Sequence, residues 1–454
     1  MNVTRVRVVA VLAALTLVLS GCAAPVADPT PNAWRWPEDP KNDRLGWEAG
    51  YWYNESIDVD QSDGLNASER EAFVGRTMAR VERIRGLEFE ESVEVAVMSR
   101  AEYRNRSNGG GDDAGPGWND QVWEALLLIG ENRTVESTFD ELYGDAVLGY
   151  YSPSEERIVV VSDAENPVID RATLSHELMH ALQYQQFEID GAPQTLDGRL
   201  AEDGLVEGDA RYVERLYERR CGGEWDCIRR PDTNPNRENF DFGVYLTVYT
   251  PYSEGPTLVD SLRERGGWAA VNEAYASVPA STEQLVHPEA YPEDRPLTVG
   301  VPDRSNGAWS RFDRDPVGNT VGEAPIFVML YRHGAIPSSS LERNPGAYSR
   351  YDYAANESDG WAGDTVVPYR SDDGEFGYVW ATEWETAEDA EEFRSAYETA
   401  LREGLNATRT GPNTYVVADG PYADAFRVTR EGTRVTVVNA PTTDQLDGVH
   451  APDR

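Results

Sequence analysis

The sequence predicts an α+β protein, and three observations carry that expectation. Apolar residues recur at helical spacing over long stretches, most clearly from 171 to 190 and from 199 to 219. Short runs that alternate or are wholly apolar, from 91 to 98 and from 146 to 161, read as strands set among those helices. From about residue 310 the texture changes to several short strands around one helix, which suggests a separate α+β module. The 454 residues suffice for two or three domains.

In chain order, the first 21 residues stand apart from the fold. Arg5 and Arg7 precede an apolar run from Val8 to Leu19, the layout of an export signal. The run is short for a membrane span, and the two arginines are not adjacent, so a twin-arginine signal is not supported. No other segment is apolar enough to cross a membrane. The run ends in Leu19-Ser20-Gly21-Cys22, which resembles the lipobox of lipoprotein signal peptides. That resemblance implies that Cys22 becomes the mature N-terminus, carries a lipid and anchors the protein to the membrane at the outer cell surface. An unlipidated secretory signal is the alternative. Residues 22–45 hold Pro25, Pro29, Pro31, Pro37 and Pro40 and read as a tether between lipid and fold.

Ser68 opens a capping box with Glu71, and the helix that follows puts Phe73, Val74, Met78, Val81 and Ile84 on one face and ends at Gly86. Glu91 to Met98 alternates as a strand, and Asn108 to Gly117 is a Gly/Asp loop. Ala146 to Tyr151 and Ile158 to Val161 form a hairpin-like pair. The next segment has Leu174, Leu178, Ala181, Leu182 and Phe187 on one side, Thr173 or Ser175 as cap, and Gly191 as stop. Leu200, Leu205, Val206, Ala210, Val213, Leu216 and Tyr217 mark another helix, and one or two more surround Gly266-Gly267-Trp268 between 256 and 275. Beyond 310, residues 378–382, 415–418, 426–429 and 435–438 read as strands, with a helix from Ala387 to Leu401 capped by Thr386 and Asp389. The expected organisation is a signal over 1–21, a lipid-anchored linker over 22–45, a first domain over 46–305 and a C-terminal module over 306–454.

Composition limits the partners. The formal net charge is −39, and Lys41 is the only lysine. Such acidity excludes nucleic acid and anionic membrane surfaces, whose phosphates would be repelled. Twelve Trp, twenty-three Tyr and 40% apolar residues argue against disorder. A folded protein this acidic is suited to very high salt, where screening removes the self-repulsion. The lysine-poor, acidic composition resembles haloarchaeal proteins. Six N-x-S/T sequons, at Asn54, Asn66, Asn105, Asn132, Asn356 and Asn406, fit an exported glycoprotein. Cys221 and Cys227, with five residues between them in an exported chain, read as a small disulfide loop, and with Cys22 assigned to the lipid no other Cys is available to complete a zinc site with them.

The most specific motif is His176-Glu177-Leu178-Met179-His180, which uses two of only five histidines. On a helix, residues four apart share a face, so the two imidazoles can grip one metal ion while Glu177 reaches a water on it. Catalytic zinc takes three protein ligands and keeps one position open. No histidine follows in a metzincin pattern, so a carboxylate on the next helix is expected. Glu207 is the candidate, because Gly208 and Ala210 beside it would let its helix approach the first closely; Glu202 and Glu214 are rivals. The strand pair just before the motif would offer an edge for an extended substrate.

The H-E-x-x-H followed by Glu207-Gly208-Asp209-Ala210 resembles the gluzincin metallopeptidases, over roughly residues 145 to 290. The resemblance implies Zn2+ held by His176, His180 and Glu207, Glu177 as general base, and a peptide or protein as substrate. The family's Asp four residues after the ligand Glu is Arg211 here, so Asp203 or Asp209 would have to orient a histidine. An oxyanion stabiliser is also required; His287 and Tyr212 are the candidates, whereas His333 and His450 have no supporting context. The rest of the chain resembles haloarchaeal surface lipoproteins without an assigned function. Two other readings compete: a non-catalytic surface lipoprotein that keeps a peptidase-like fold, and a solute-binding lipoprotein, which would show repeated βα units that are absent here. Oligomeric state is open.

Overall fold

The computed structural model describes residues 44–107, 117–143, 147–189, 193–231, 240–342 and 348–452, together with a short backbone ladder between 7–10 and 17–20. Cys22 and nearly all of the tether, most of the Gly/Asp loop after 107, and Gly191 lie outside the described residues. No helix among them is long and apolar enough to cross a membrane.

The protein is α+β, as expected. The first helix, α1 (Ala67–Arg85), starts two residues earlier than the Ser68 capping box would place it. Asn66 accepts from the Glu69 backbone and Glu69 accepts in return from the Asn66 backbone, so the reciprocal cap is made by Asn66 and Glu69. Gly86 ends the helix in the left-handed conformation (φ 76°), the position where a side chain would be strained. Three strands follow: β1 (Glu94–Met98), β2 (Gly149–Ser152) and β3 (Arg157–Val161). β3 lies between the others, parallel to β1 and antiparallel to β2, which leaves β2 at the edge.

Helix α2 (Arg171–Gln186) carries the H-E-x-x-H motif. Its cap is Asp170, which accepts from the Ala172 and Thr173 amides, rather than Thr173 or Ser175. Ser175 instead bonds back to the Ala172 carbonyl within the helix. The helix ends because Phe187 turns extended. Helix α3 (Leu196–Arg220) starts at a Thr195 cap, and the Cys221–Cys227 disulfide closes the loop at its far end. Helix α4 (Phe242–Ala274) is longer than its pattern suggested. Pro251 and Pro256 hide its first half from a periodicity reading, while Gly266 and Gly267 break it where expected. A single turn, α5 (Glu283–Val286), follows.

The C-terminal part is a seven-stranded antiparallel sheet. Its strands are β4 (Trp309–Arg311), β5 (Trp361–Ser371), β6 (Phe376–Trp384), β7 (Thr408–Arg409), β8 (Thr414–Val416), β9 (Ala425–Glu431) and β10 (Arg434–Ala440), in the order β7-β8-β9-β10-β6-β5-β4. Helices α6 (Glu323–Arg332) and α7 (Ala387–Thr399) accompany it, and α7 has the expected Thr386–Asp389 capping box. β5 was not expected, because Gly363 and Pro368 interrupt its pattern. Val366 bonds outward to Asn319, so two residues on the missing Pro368 N–H also falls on the outward side, where the ladder loses nothing to β6.

The boundary expected at 305 is no break in the core. One hydrophobic cluster joins Trp118 and Val122, Val244 and Tyr252 of α4, and Phe327 of α6 to Trp361, Trp380 and Phe393 of the C-terminal part. A second cluster packs α1, α2 and α3 around Phe73, Leu174, Leu178 and Ala210, and that layer fixes the motif helix against its neighbour.

Candidate metal centre

Helix periodicity delivers the first half of the site. His176 and His180 project from one face of α2, and their Nε2 atoms lie 3.0 Å apart. Helix α3 brings Glu207, whose Oε2 is 3.1 Å from the His176 Nε2 and 3.3 Å from the His180 Nε2. All three side chains are buried. A tetrahedral zinc ion with bonds of about 2.0–2.1 Å has ligand–ligand edges of roughly 3.3 Å. The three observed edges are of that size, so the residues present fit the metal.

The far sides of the rings explain why the near sides need a cation. His180 Nδ1 is 2.8 Å from Gln183 Oε1, and the Gln183 amide is oriented by its other end, which donates to the Val206 carbonyl (2.8 Å) and to the Tyr275 hydroxyl (2.7 Å). His180 therefore donates from Nδ1 and keeps a lone pair on Nε2. His176 Nδ1 faces Glu214 Oε2 at 3.4 Å without a formed hydrogen bond, and that carboxylate favours a proton on Nδ1 over Nε2. Two imidazole lone pairs and a carboxylate oxygen then point at one another, an arrangement that repels unless a proton or a metal sits among them. The charge balance says the same. Burial alone would push the Glu207 carboxyl up, but His180 and His176 override it and hold it at about 2. Burial alone would lower His176, but the Glu207 and Glu214 carboxylates beside it raise it to about 10.

Glu177 stands beside this centre with one oxygen engaged and one spare. Its Oε2 accepts the Tyr151 N–H of β2 at 2.9 Å, while Oε1 is buried and has no hydrogen-bond partner. Burial is the main influence on its pKa and raises it, as a group that must accept a proton requires. The same bond places edge strand β2 against the motif helix, with all four of its residues buried rather than exposed.

Among the candidates for third ligand, Glu207 joins the histidines, and Glu214 stands behind His176 rather than in the cluster. Arg211 donates to both Glu214 oxygens (2.5 and 2.6 Å) and so fixes the carboxylate that faces His176. Asp203 hydrogen-bonds neither histidine. Asp209 acts at a distance: it pairs with Arg85 at 3.0 Å and accepts from Tyr275, which in turn receives Gln183, the residue that orients His180. Gly208 serves a different contact from the one expected. A Cβ there would meet the Gly255 backbone at 2.4 Å, so Gly208 seats α3 on α4, while Ala210 packs in the α2 layer.

Neither expected oxyanion donor reaches the triad. Tyr212 leaves α3 on another face, where its hydroxyl donates to Asp260 (2.7 Å) and accepts from Arg263 (2.7 Å). His287 is held by Glu323 at 3.2 Å and lies near Asp359, away from both motif histidines. Sequence reasoning overlooked Gln183, Tyr275 and Tyr252, the last of which stacks its ring on His176 at 6.3 Å. Gln183 was legible, since it lies three residues after His180 on the same helical face; Tyr252 and Tyr275 come from distant segments that only folding assembles.

Residues 310–450 match a family described as a domain of unknown function (DUF8575), and the triad lies outside that segment. No curated protein and no solved structure matches the chain.

Proposed function

We propose that this protein is a zinc-dependent peptidase that works outside the cell, anchored to the membrane through a lipid on Cys22. The observation that carries the reading is the convergence of His176, His180 and Glu207 with the spare Glu177 oxygen beside them. A zinc ion held by the triad would supply Lewis acidity, drawing the pKa of water down to about 7. Glu177 then does the proton work. Tyr151 fixes one of its oxygens, and the other receives a proton from the attacking water and passes it to the leaving amine. The β2 edge holds the substrate backbone extended next to Glu177. Export is supported by the exposure of all six sequon asparagines.

The depth of the triad favours one rival, a structural zinc in a non-catalytic surface lipoprotein, in which Glu177 would complete four ligands. The two readings part on Glu177→Gln. As a peptidase, wild type contains one zinc per chain and cleaves peptides in a mixed library; the variant keeps its zinc and loses cleavage by roughly 100-fold or more. As a structural site, the variant loses zinc and no peptide is cut by either form. Wild type free of zinc after metal supplementation, with His176→Ala identical to it, would end both.

A further inference from the structure

We infer that the protein holds a hard-cation site of the Ca2+ class, separate from the proposed zinc centre, built from Glu124, Glu131 and Asp424, with Asn439 orienting Asp424, and fastening the segment before the H-E-x-x-H helix to the C-terminal sheet. Glu124 lies in the last turn of the helix Trp118–Ala125, Glu131 lies beyond it, Asp424 precedes β9, and Asn439 is on β10. One carboxylate oxygen from each of the three acids falls within 4.8 Å of the others. Oxygens on a single Ca2+ bonded at about 2.4 Å are separated by at most roughly 5 Å, so the three fit around one ion.

The acids alone would not make a site. Glu124, Asp424, Gln121 and Asn439 are all buried, and each has a side-chain oxygen with no hydrogen-bond partner. The surroundings orient them. Asn439 donates its amide to the second oxygen of Asp424 at 2.9 Å, and Gln121 donates to the second oxygen of Glu124, so each residue keeps its other oxygen free. Among the described residues no arginine or histidine pairs with Glu124, Glu131 or Asp424. Every donor is an oxygen, the preference of Ca2+ rather than of zinc. Such buried oxygens are costly unless a cation meets them. The backbone already brings the two segments together, with Glu131 N–H donating to the Pro421 carbonyl at 2.9 Å. A shared proton between Glu124 and Asp424 is the competing way to satisfy the pair.

The test uses the full chain in molar NaCl, stripped with chelator and titrated with Ca2+ or Mg2+ while unfolding is followed. Saturable binding of one Ca2+ is expected by calorimetry, with a Tm rise of roughly 3 to 5 °C at a hundredfold excess over Kd. The response persists in His176→Ala, which separates this site from the zinc centre. It weakens about tenfold or more in Glu131→Gln, whose exposed side chain can change without disturbing the core, and vanishes in Asp424→Asn if that variant folds. No saturable Ca2+ binding, an equal response to Mg2+, or an unchanged response in Glu131→Gln would overturn the site. In that event stability that rises on acidification without any Ca2+ dependence identifies the shared proton as the occupant.

Discussion

Replacing Gln183 by Leu tests how the His180 ring is held without touching a metal ligand. The amide makes three hydrogen bonds, to His180 Nδ1, the Val206 carbonyl and the Tyr275 hydroxyl, all between 2.7 and 2.8 Å. Leu has similar bulk and no charge, so the variant removes these bonds without stranding an ion. Two partners remain served, because Val206 lies within α3 and Tyr275 still donates to Asp209. Only the His180 Nδ1–H is left buried and unpaired, so the stability cost is about 2 kcal/mol. The effect on the metal is of similar size. Loss of such an outer partner typically costs 10- to 100-fold in affinity, or about 1.4 to 2.7 kcal/mol. Competition against a chromophoric chelator reads the zinc Kd, and thermal unfolding of the metal-free protein reads the stability term separately. Zinc affinity in Gln183→Leu equal to wild type, in a folded protein, would refute the assignment of Gln183 as the group that sets the His180 tautomer.

Three further outcomes are expected. The Glu323 carboxylate beside His287 raises its imidazole to about 9, with burial opposing, so the stabilisation it gives is complete below about pH 6.5 and lost as pH rises through about 9. His287→Asn should flatten that limb of the stability profile by about 1 to 2 kcal/mol, a figure reduced because the ring is partly exposed; an unchanged limb in urea titrations across this range would contradict it. Replacing Cys221 and Cys227 by Ser opens a very small loop, so the unfolded chain gains little entropy and stability falls by about 2 kcal/mol; a loss several times larger by denaturant unfolding would mean that the loop holds α3 in place. With 80 acidic and 41 basic residues, the protein should lose Tm as NaCl is lowered from molar to about 0.1 M, where the Debye length grows to about 10 Å; a Tm independent of salt would show that self-repulsion does not limit the fold.

Helical spacing made the motif helix, its neighbour and the Glu207 pairing readable, because two turns of α-helix fix the relative positions of His176, Glu177, His180 and Gln183 whatever surrounds them. The cap at Thr386 was equally local. What escaped depends on contacts between distant segments. Tyr212 follows Glu207 by five residues and looked adjacent, yet that spacing turns it to another face, where Asp260 and Arg263 take its hydroxyl. Arg211 looked like a departure from the family pattern, and only the folded helix shows it gripping Glu214 behind His176. Strand β5 was concealed by a proline whose missing N–H matters only once the neighbouring strands are known.

The cluster that links Trp118 to Trp361 and Trp380 bears on how the chain can be divided. The Trp118 indole donates to the Val317 carbonyl, Leu196 N–H reaches the Asn319 side chain, and His333 bonds the Leu127 carbonyl. A fragment stopping at 305 would carry His176 and His180 yet bare the underside of its own helices, and a fragment of 310–450 would bare the matching face of its sheet. Expressed apart, each piece is expected to aggregate; expressed together on two plasmids, they are expected to reassemble as a nicked whole. The matched segment is therefore half of an interlocked pair, and a chain that carries it should also carry a counterpart to the Trp118 helix.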